Sequence, residues 1–335
     1  MAVWNPPITS SIENAYETTN VNFTGNTYVD GLLWQGGWTN NGVNSEINAS
    51  VSDPVNLSYS TPTALGADYV YGNRFANYLD WTSTEIDRIA DIISNFEAVA
   101  NVSFTYVGSY NIADINFVSY NNPDSSFLGL ADVPGNPPLN DYNGVFINKA
   151  KFSSDGFSKG SFDYVTIQHE LAHAMGLAHP HDEGGGSNKF PGVTAANGDL
   201  GDYGQNQGIY TTMSYNSGWE GRPGGDLPSG TMGYGYEATL MAYDIAALQS
   251  KYGANTNYNT GDNTYYLPNW VALDRTFPTG GSAFYQCIWD AGGTDTISNG
   301  GGSQGCTIDL QAATLDYSDG AAAGGYVSHP RDSFG

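Results

Sequence analysis

Histidines are rare in this chain, and four of the five lie between positions 169 and 181, in the stretch HELAHAMGLAHPH. His169 and His173 are four residues apart, so on a helix their side chains lie on one face, one turn from each other. This is the spacing at which two imidazoles bind one tetrahedral metal ion. The stretch therefore predicts a helix that carries half of a metal site.

The residues after the second histidine predict where a third ligand comes from. Gly176 can end the helix in a left-handed conformation, and the turn would bring His179 back to the metal. His181 is an alternative third ligand; the glycine-to-histidine spacing favours His179 and leaves His181 as a solvent-facing neighbour. Three protein ligands leave one position open for water, which is typical of a catalytic site. Neutral imidazoles favour zinc.

Glu170 follows the first histidine directly. It is predicted to lie beside a water on the metal and to accept a proton from that water as a general base, while zinc lowers the pKa of the water and polarises a carbonyl group. The alternative is an ordinary helix with surface or core histidines. The complete pattern H-E-x-x-H-x-x-G-x-x-H favours the catalytic metal site.

The charge balance excludes some partners. The chain has 34 acidic and 10 basic residues, a net charge of −24, and 40% hydrophobic residues, enough for a folded core. Such a charge repels phosphate backbones and anionic lipids, so neither nucleic acid nor a membrane is expected as a partner. The N-terminus lacks a secretory signal pattern, and no apolar run is long enough to cross a membrane. We expect a cytoplasmic protein, or one secreted by a signal-peptide-independent route.

Hydrophobic periodicity predicts an α/β or α+β fold. A T-x-x-E capping box opens one helix, Ser161 caps a second that carries the histidines, and a third spans about 237–252 and ends at Gly253. Strands are predicted at 55–59, 102–106, 115–118 and 145–147. A domain boundary is placed near 254, which divides the chain into residues 1–253 and a β-rich segment, 254–335.

The histidine pattern resembles that of the metzincin zinc endopeptidases, and the proline after His179 resembles the serralysin family in particular. TTMSYN, at 211–216, is similar to the methionine turn of that family. The resemblance implies a metzincin-like catalytic domain with a twisted sheet and an active-site helix. It also implies that Met213 forms an apolar floor under the metal, and that Tyr215 ligates the resting metal and later hydrogen-bonds the oxyanion.

Two further segments extend the resemblance. YDIAALQSKYGAN (243–255) resembles the helix after the methionine turn, and IWDAGGTDTI (288–297) resembles the first calcium-binding turn of the family. NTGD, at 259–262, lies where the family supplies a partner turn. The calcium ligands implied are Asn259, Gly261, Asp290, Gly292 and Asp295. The alternative is a pair of glycine turns with solvated aspartates.

The chain also departs from the family pattern. It ends at HPRDSFG without tandem G-G-x-G-x-D repeats or an export signal, so we expect the C-terminal segment to be a truncated β-roll. Residues 1–50 are either an N-terminal extension or a propeptide, or part of the domain. Cys287 and Cys306 are either a disulfide or two free buried thiols.

These observations predict a secreted, monomeric zinc endopeptidase that hydrolyses internal peptide bonds of extracellular proteins. Its partners would be protein or peptide substrates, with a proteinaceous protease inhibitor as a further candidate. One alternative is a non-catalytic metal-binding adhesion or interaction module, which the intact Glu170 and the open coordination position disfavour. Another is a zinc hydrolase that is not a protease, which the methionine turn disfavours.

Overall fold

The computed structural model describes residues 23–34, 36–38, 54–63, 77–134, 143–152, 157–220, 235–267, 284–300, 305–315, 324–325 and 328–330. Within these ranges the chain forms a mixed α/β fold built on a mostly parallel sheet. No helix in the described ranges is both long and apolar enough to cross a lipid bilayer.

Six strands form the central sheet, and the four strands predicted from the sequence all belong to it. Its order is β3-β1-β4-β6-β5, with β2 paired to β4 outside this path. The pairs among β1, β3, β4 and β6 are parallel. Strand β5 pairs antiparallel with β6, and β2 pairs antiparallel with β4. The bounds are β1 Val55–Ser60, β2 Tyr78–Leu79, β3 Val102–Tyr106, β4 Ile115–Tyr120, β5 Gly129–Ala131 and β6 Asn143–Asn148.

In the part of the chain that the structure describes, four α-helices accompany the sheet: α1 Thr27–Gly31, α2 Ser83–Val99, α3 Phe162–Ala174 and α4 Ala242–Tyr252. The predicted capping box of α2 is confirmed, because the Thr82 hydroxyl accepts from the Glu85 amide and the Glu85 carboxylate accepts from the Thr82 amide. The predicted cap of α3 is also confirmed: the hydroxyl of Ser161 accepts from the Tyr164 amide at 3.1 Å.

The two faces of the sheet are covered differently. Ile115, Phe117 and Ile147 point to the face where α2 and α3 pack, and they belong to the main core. Val118 and Phe146, at the alternate positions, form a smaller cluster on the other face. Every residue of β4 and of β6 is buried, as expected for central parallel strands with both faces covered. The sheet is therefore a rigid support under α3.

The N-terminal segment 23–38 belongs to this core. Tyr28, Leu32, Leu33 and Trp38 are each 2% exposed or less. Leu33 forms an antiparallel bridge with Leu177, directly after the histidine helix. The alternatives of an N-terminal extension or a propeptide for residues 1–50 stay a prediction.

Helix α4 begins later than predicted, at Ala242 instead of about 237. The reason is that the chain before it is used in other contacts. Glu237 forms a parallel bridge with Tyr285, and Ala238 donates to the Tyr285 carbonyl at 2.8 Å. The Asp244 carboxylate then accepts from the Met241 amide at 2.9 Å and caps the first turn. The predicted end at Gly253 is confirmed.

The C-terminal part forms short strands, as predicted for a β-rich segment. They are β7 Thr264–Tyr266, β8 Thr296–Ser298, β9 Cys306–Thr307 and β10 His329–Pro330. Cys287 and Cys306 are free in the structure, so the disulfide alternative is not supported. Burial raises the pKa of the Cys287 thiol to about 12. The boundary near 254 stays a prediction.

Lys251 joins α4 to the N-terminal segment. Its side chain is buried, and its ammonium donates to the carbonyls of Trp34, at 2.7 Å, and Gly36. Burial lowers the pKa of Lys251 to about 7. An unfolded chain keeps the ordinary lysine pKa of about 10.4. Between these two values the unfolded state binds more protons, so this residue makes folding more favourable as the pH rises.

Replacing Lys251 should therefore remove a pH dependence of stability. We expect the free energy of unfolding of the wild type, minus that of Lys251→Met, to increase from pH 7 to pH 9. Denaturant unfolding curves at several pH values measure this difference. Lys189→Met, at an exposed lysine, is the matched control and should show no such trend. A difference for Lys251→Met that is constant with pH would contradict the prediction.

Candidate metal centre

Helix α3 and the turn after it position the three predicted histidine ligands. His169 and His173 lie on one face of the helix, and their rings are 4.7 Å apart. Gly176 then has a φ of 89°, which favours glycine, and a Cβ there would lie 2.8 Å from the Gly36 carbonyl oxygen. This tight reversal returns the chain to the helix at His179.

The Nε2 atoms of the three histidines converge. The Nε2 of His179 lies 3.2 Å from that of His169 and 2.9 Å from that of His173. These three residues form a cluster whose ligand atoms could hold one metal ion. The structure therefore brings together the ligand set that the sequence predicted.

The contacts of the Nδ1 atoms determine which nitrogen of each histidine ring carries the hydrogen. The Nδ1 of His169 lies 2.8 Å from the Thr212 carbonyl, and that of His173 lies 2.8 Å from the Leu177 carbonyl. A carbonyl only accepts, so each Nδ1 carries the hydrogen and each Nε2 presents a lone pair. The Nδ1 of His179 likewise faces the Asp182 carboxylate at 2.8 Å. Three lone pairs that face one another fit a bound cation.

The electrostatics of the helix agree with neutral ligands. Burial, with a smaller effect of His179, lowers the pKa of His169 to about 3. The same causes hold the pKa of His173 well below its usual range. Both rings are therefore neutral at pH 7, which is the form that binds zinc.

His181 does not join this cluster, and the prediction that it faces solvent is wrong. Its side chain is only 10% exposed. The ring stacks on His179, with centroids 4.7 Å apart, and packs against Tyr215 at 4.5 Å. The turn after Gly176 explains the burial, since it lays residues 179–182 against the methionine turn.

Glu170 is buried beside the histidines and against the edge of the sheet. Burial raises the pKa of its carboxyl to about 8, near the pH at which a general acid or base works best. A Cβ on Gly129 would lie 2.6 Å from both Cγ and Oε1 of Glu170. The first residue of β5 therefore has to be small for the carboxylate to keep this position.

The methionine turn lies beside the histidines, with Thr212 and Tyr215 in contact with them. Met213 is fully buried, whereas Tyr215 is 46% exposed and its ring centroid lies 4.9 Å from that of His179. Burial, with the nearby charge of Glu170, raises the pKa of Tyr215 to about 12, so its phenol is protonated at neutral pH. Tyr215 thus lies beside the histidine cluster, and the apolar floor under the metal that the resemblance assigns to Met213 stays a prediction.

Helix α4 holds this turn in place through Asp244. The buried carboxylate of Asp244 accepts from the Thr211 hydroxyl at 2.6 Å and from the Thr212 amide at 2.8 Å. The carbonyl of Thr212 is the partner of His169. Asp244 of α4 is therefore connected to His169, the first predicted ligand, through the amide and the carbonyl of Thr212.

The sequence reasoning missed four residues that orient the site: Gly129, Asp182, Thr212 and Asp244. Only Asp182 had a local clue, a carboxylate three residues after the third histidine. The carbonyl of Thr212 is a backbone group that any residue supplies, and the roles of the other two depend on distant packing.

The predicted calcium turns lie side by side. The amide of Asn263 donates to Asp295 at 2.9 Å, and that of Thr294 donates to Asp262 at 2.8 Å. The Asp290 carboxylate accepts from the Gly292 amide and the Tyr265 phenol. Within the described ranges, the side-chain clusters able to hold a metal all lie at the histidines. A calcium site at Asn259, Gly261, Asp290, Gly292 and Asp295 stays a prediction.

Comparison with known proteins agrees with this geometry. The chain is 28% identical to serralysin of Proteus mirabilis over 281 residues, 79% of this chain and 54% of that protein. It is 26% identical to metallopeptidase AprA of Pseudomonas marginalis (82% and 56%) and 29% identical to serralysin B of Dickeya chrysanthemi (82% and 54%). The chain is thus similar to serralysins and to a metallopeptidase over about four fifths of its length. No protein-family model matches it.

Similarity to the serralysins implies zinc as the metal, with calcium as a structural ion of that family. The chain spans about half the length of the curated relatives it matches. Two observations on this chain fit zinc. The Nε2 atoms of the three histidines converge, and each Nδ1 contacts an oxygen acceptor on the opposite side of its ring.

Asp182 should contribute to zinc affinity without touching the ion. We expect Asp182→Asn to weaken zinc binding about 10- to 100-fold, because an amide lacks the negative charge that orients the His179 ring. Competition with a fluorescent zinc chelator measures the affinity. Asp124→Asn, at an exposed aspartate away from the histidines, is the control. Equal affinities of Asp182→Asn and the wild type would contradict this role.

Proposed function

We propose that this chain is the catalytic part of a secreted zinc endopeptidase that hydrolyses internal peptide bonds of extracellular proteins. The observation that carries the proposal is the convergence of three Nε2 lone pairs beside a buried glutamate, at the free edge of a sheet. Similarity to serralysins and to a metallopeptidase supports it.

In this proposal His169, His173 and His179 hold the zinc ion. A bound zinc ion supplies Lewis acidity, which polarises a carbonyl group and lowers the pKa of water. The chain's contribution is to keep the three rings neutral and fixed. Two backbone carbonyls and the Asp182 carboxylate hold the rings from the outside.

Glu170 is assigned the proton transfers. Its carboxylate accepts a proton from the attacking water and delivers it to the nitrogen of the leaving amine, so that the residue returns to its starting state. The buried position of Glu170 and its raised pKa support this assignment. Contact with Gly129 limits the side chain to one direction.

Tyr215 is assigned to the oxyanion. Its protonated phenol donates a hydrogen bond to the oxygen that becomes negative in the tetrahedral intermediate. In the resting site the same phenol is an additional candidate ligand. Its half-exposed position next to the ring of His179 leaves it room for both roles.

Several finer points belong to the same proposal. They are secretion by a signal-peptide-independent route, a monomeric state, a proteinaceous inhibitor as partner, and calcium bound by the turns at 259–263 and 290–295. The alternative of a non-catalytic adhesion module is not favoured. A structural site needs no buried general base and no open position.

Glu170→Gln should separate zinc binding from turnover. We expect the variant to bind one zinc ion per chain as the wild type does, because Glu170 is not a ligand. Its kcat on a fluorescent casein should fall about 100- to 10,000-fold, because an amide cannot accept the proton. Metal analysis and the activity assay are made on the same samples.

A chelator gives the matching control for this prediction. Wild-type activity should disappear when a chelator removes the zinc and return when zinc is added back. Casein cleavage by Glu170→Gln at the wild-type rate would contradict the mechanism, and wild-type protein without zinc would contradict the whole proposal.

Gly129→Ala should disturb the position of Glu170. The added methyl group would overlap the Glu170 side chain, so the carboxylate has to turn away. We expect kcat to fall about 10- to 100-fold, as for other displacements of about 1 Å, with zinc content unchanged. Gly108→Ala is the control, because a Cβ there has no neighbour within 4 Å. Equal kcat values for Gly129→Ala and Gly108→Ala would show that the contact does not matter.

A further inference from the structure

We propose that His181 and Asp182 form a second, weaker site for a zinc-type divalent cation, next to the three-histidine centre, and that a cation bound there inhibits the enzyme. The binding follows from the geometry of these two residues alone. The inhibition rests on the proposed peptidase function.

The two side chains are placed as a pair of ligands would be. The Nε2 of His181 lies 3.8 Å from the Oδ2 of Asp182. Two ligands of a tetrahedral zinc ion, each at about 2.1 Å, are roughly 3.4 Å apart. A small rotation of either side chain therefore closes the pair on an ion. His179, His181 and Asp182 also form a group whose ligand atoms lie within 4.8 Å of one another.

His181 is available for this role, because neither the metal centre nor the peptidase mechanism uses it. Its ring is held between the rings of His179 and Tyr215. Its buried Nδ1 has no hydrogen-bond partner among the described residues. The imidazole is thus fixed in position by ring contacts, while its polar atoms lack strong partners.

Asp182 supplies the open side of the site. Its side chain is 44% exposed, so water can complete the coordination of a cation bound there. Its Oδ1 accepts from the Gly184 amide at 2.8 Å, which fixes the carboxylate. One imidazole and one carboxylate suit zinc and similar transition metals better than calcium or magnesium, which prefer oxygen ligands alone.

The second site should be the weaker one and should inhibit. It has two protein ligands instead of three, and a zinc ion on the first site repels another cation. The Oδ2 of Asp182 is also the acceptor for the Nδ1 of His179. A cation on Oδ2 competes with that hydrogen bond and lies beside Tyr215, so it disturbs one ligand and the oxyanion donor together.

The test counts zinc ions per chain. The intact chain is dialysed to equilibrium against buffers of increasing free zinc, with calcium in excess to occupy oxygen-only sites, and bound zinc is measured by mass spectrometry. We expect the wild type to bind a first equivalent tightly and a second at least tenfold more weakly. His181→Phe keeps a ring of similar size and should bind only the first. His329→Phe, at a histidine in β10, is the matched control and should bind both.

Activity on casein is measured on the same samples. Wild-type activity should fall as the second equivalent binds, whereas that of His181→Phe should not fall over the same zinc range. A second equivalent retained in His181→Phe, or absent from the wild type, would overturn the proposal. His181→Gln is measured in parallel; if both variants lose the first equivalent too, His181 belongs to the primary centre and the proposal is wrong.

A failure of the proposed function gives a different result. Wild-type chain that binds no tight equivalent would contradict the zinc endopeptidase, whatever happens at His181. Wild-type chain that binds two equivalents but cleaves no casein would keep the second site and remove the peptidase.

Discussion

Three imidazole lone pairs directed at one point are unfavourable in a protein without a cation between them, and the fold is arranged to keep them there. Each ring is held from its far side by an acceptor, namely the carbonyls of Thr212 and Leu177 and the carboxylate of Asp182. Leu177 and Asp182 belong to the turn directly after α3, whereas Thr212 comes from the distant methionine turn. The orientation of His169 therefore depends on tertiary packing, whereas that of His173 and His179 is set by the local turn.

The surroundings of the site follow from this requirement. The sheet supports α3 from below, and its edge strand β5 limits the position of Glu170. Helix α4 fixes the methionine turn through Asp244 and the N-terminal segment through Lys251. Two of these contacts place ionisable groups in the core: Asp244 accepts from backbone amides and the Thr211 hydroxyl, and Lys251 donates to backbone carbonyls. Burial of such groups is costly unless they are hydrogen-bonded, so the site is held by interactions that tolerate little substitution.

Much of the fold and the ligand set could be predicted from the sequence, because they depend on local patterns. Period-two and period-3.6 patterns located β1, β3, β4 and β6 of the sheet and helices α2 and α3, and the histidine spacing located the three residues that form the cluster. The start of α4 was predicted wrongly, because Glu237 and Ala238 pair with Tyr285 instead of forming a first helical turn. Gly129 and Asp244 could not be found at all, since each acts on a residue far away in the sequence. His181 was misplaced for a similar reason: its burial depends on Tyr215.

The contacts of the N-terminal segment determine when the site can exist. Trp38 donates to the Ala174 carbonyl across 136 residues, and Lys251 reaches Gly36 across 215. Contacts between residues so distant in sequence form late in folding, because long loops must close first. The chain has to leave the ribosome as far as α4 before the N-terminal segment and α4 can both be in place around the turn that carries His179. A nascent or unfolded chain thus contains all three histidines of the cluster but no assembled centre.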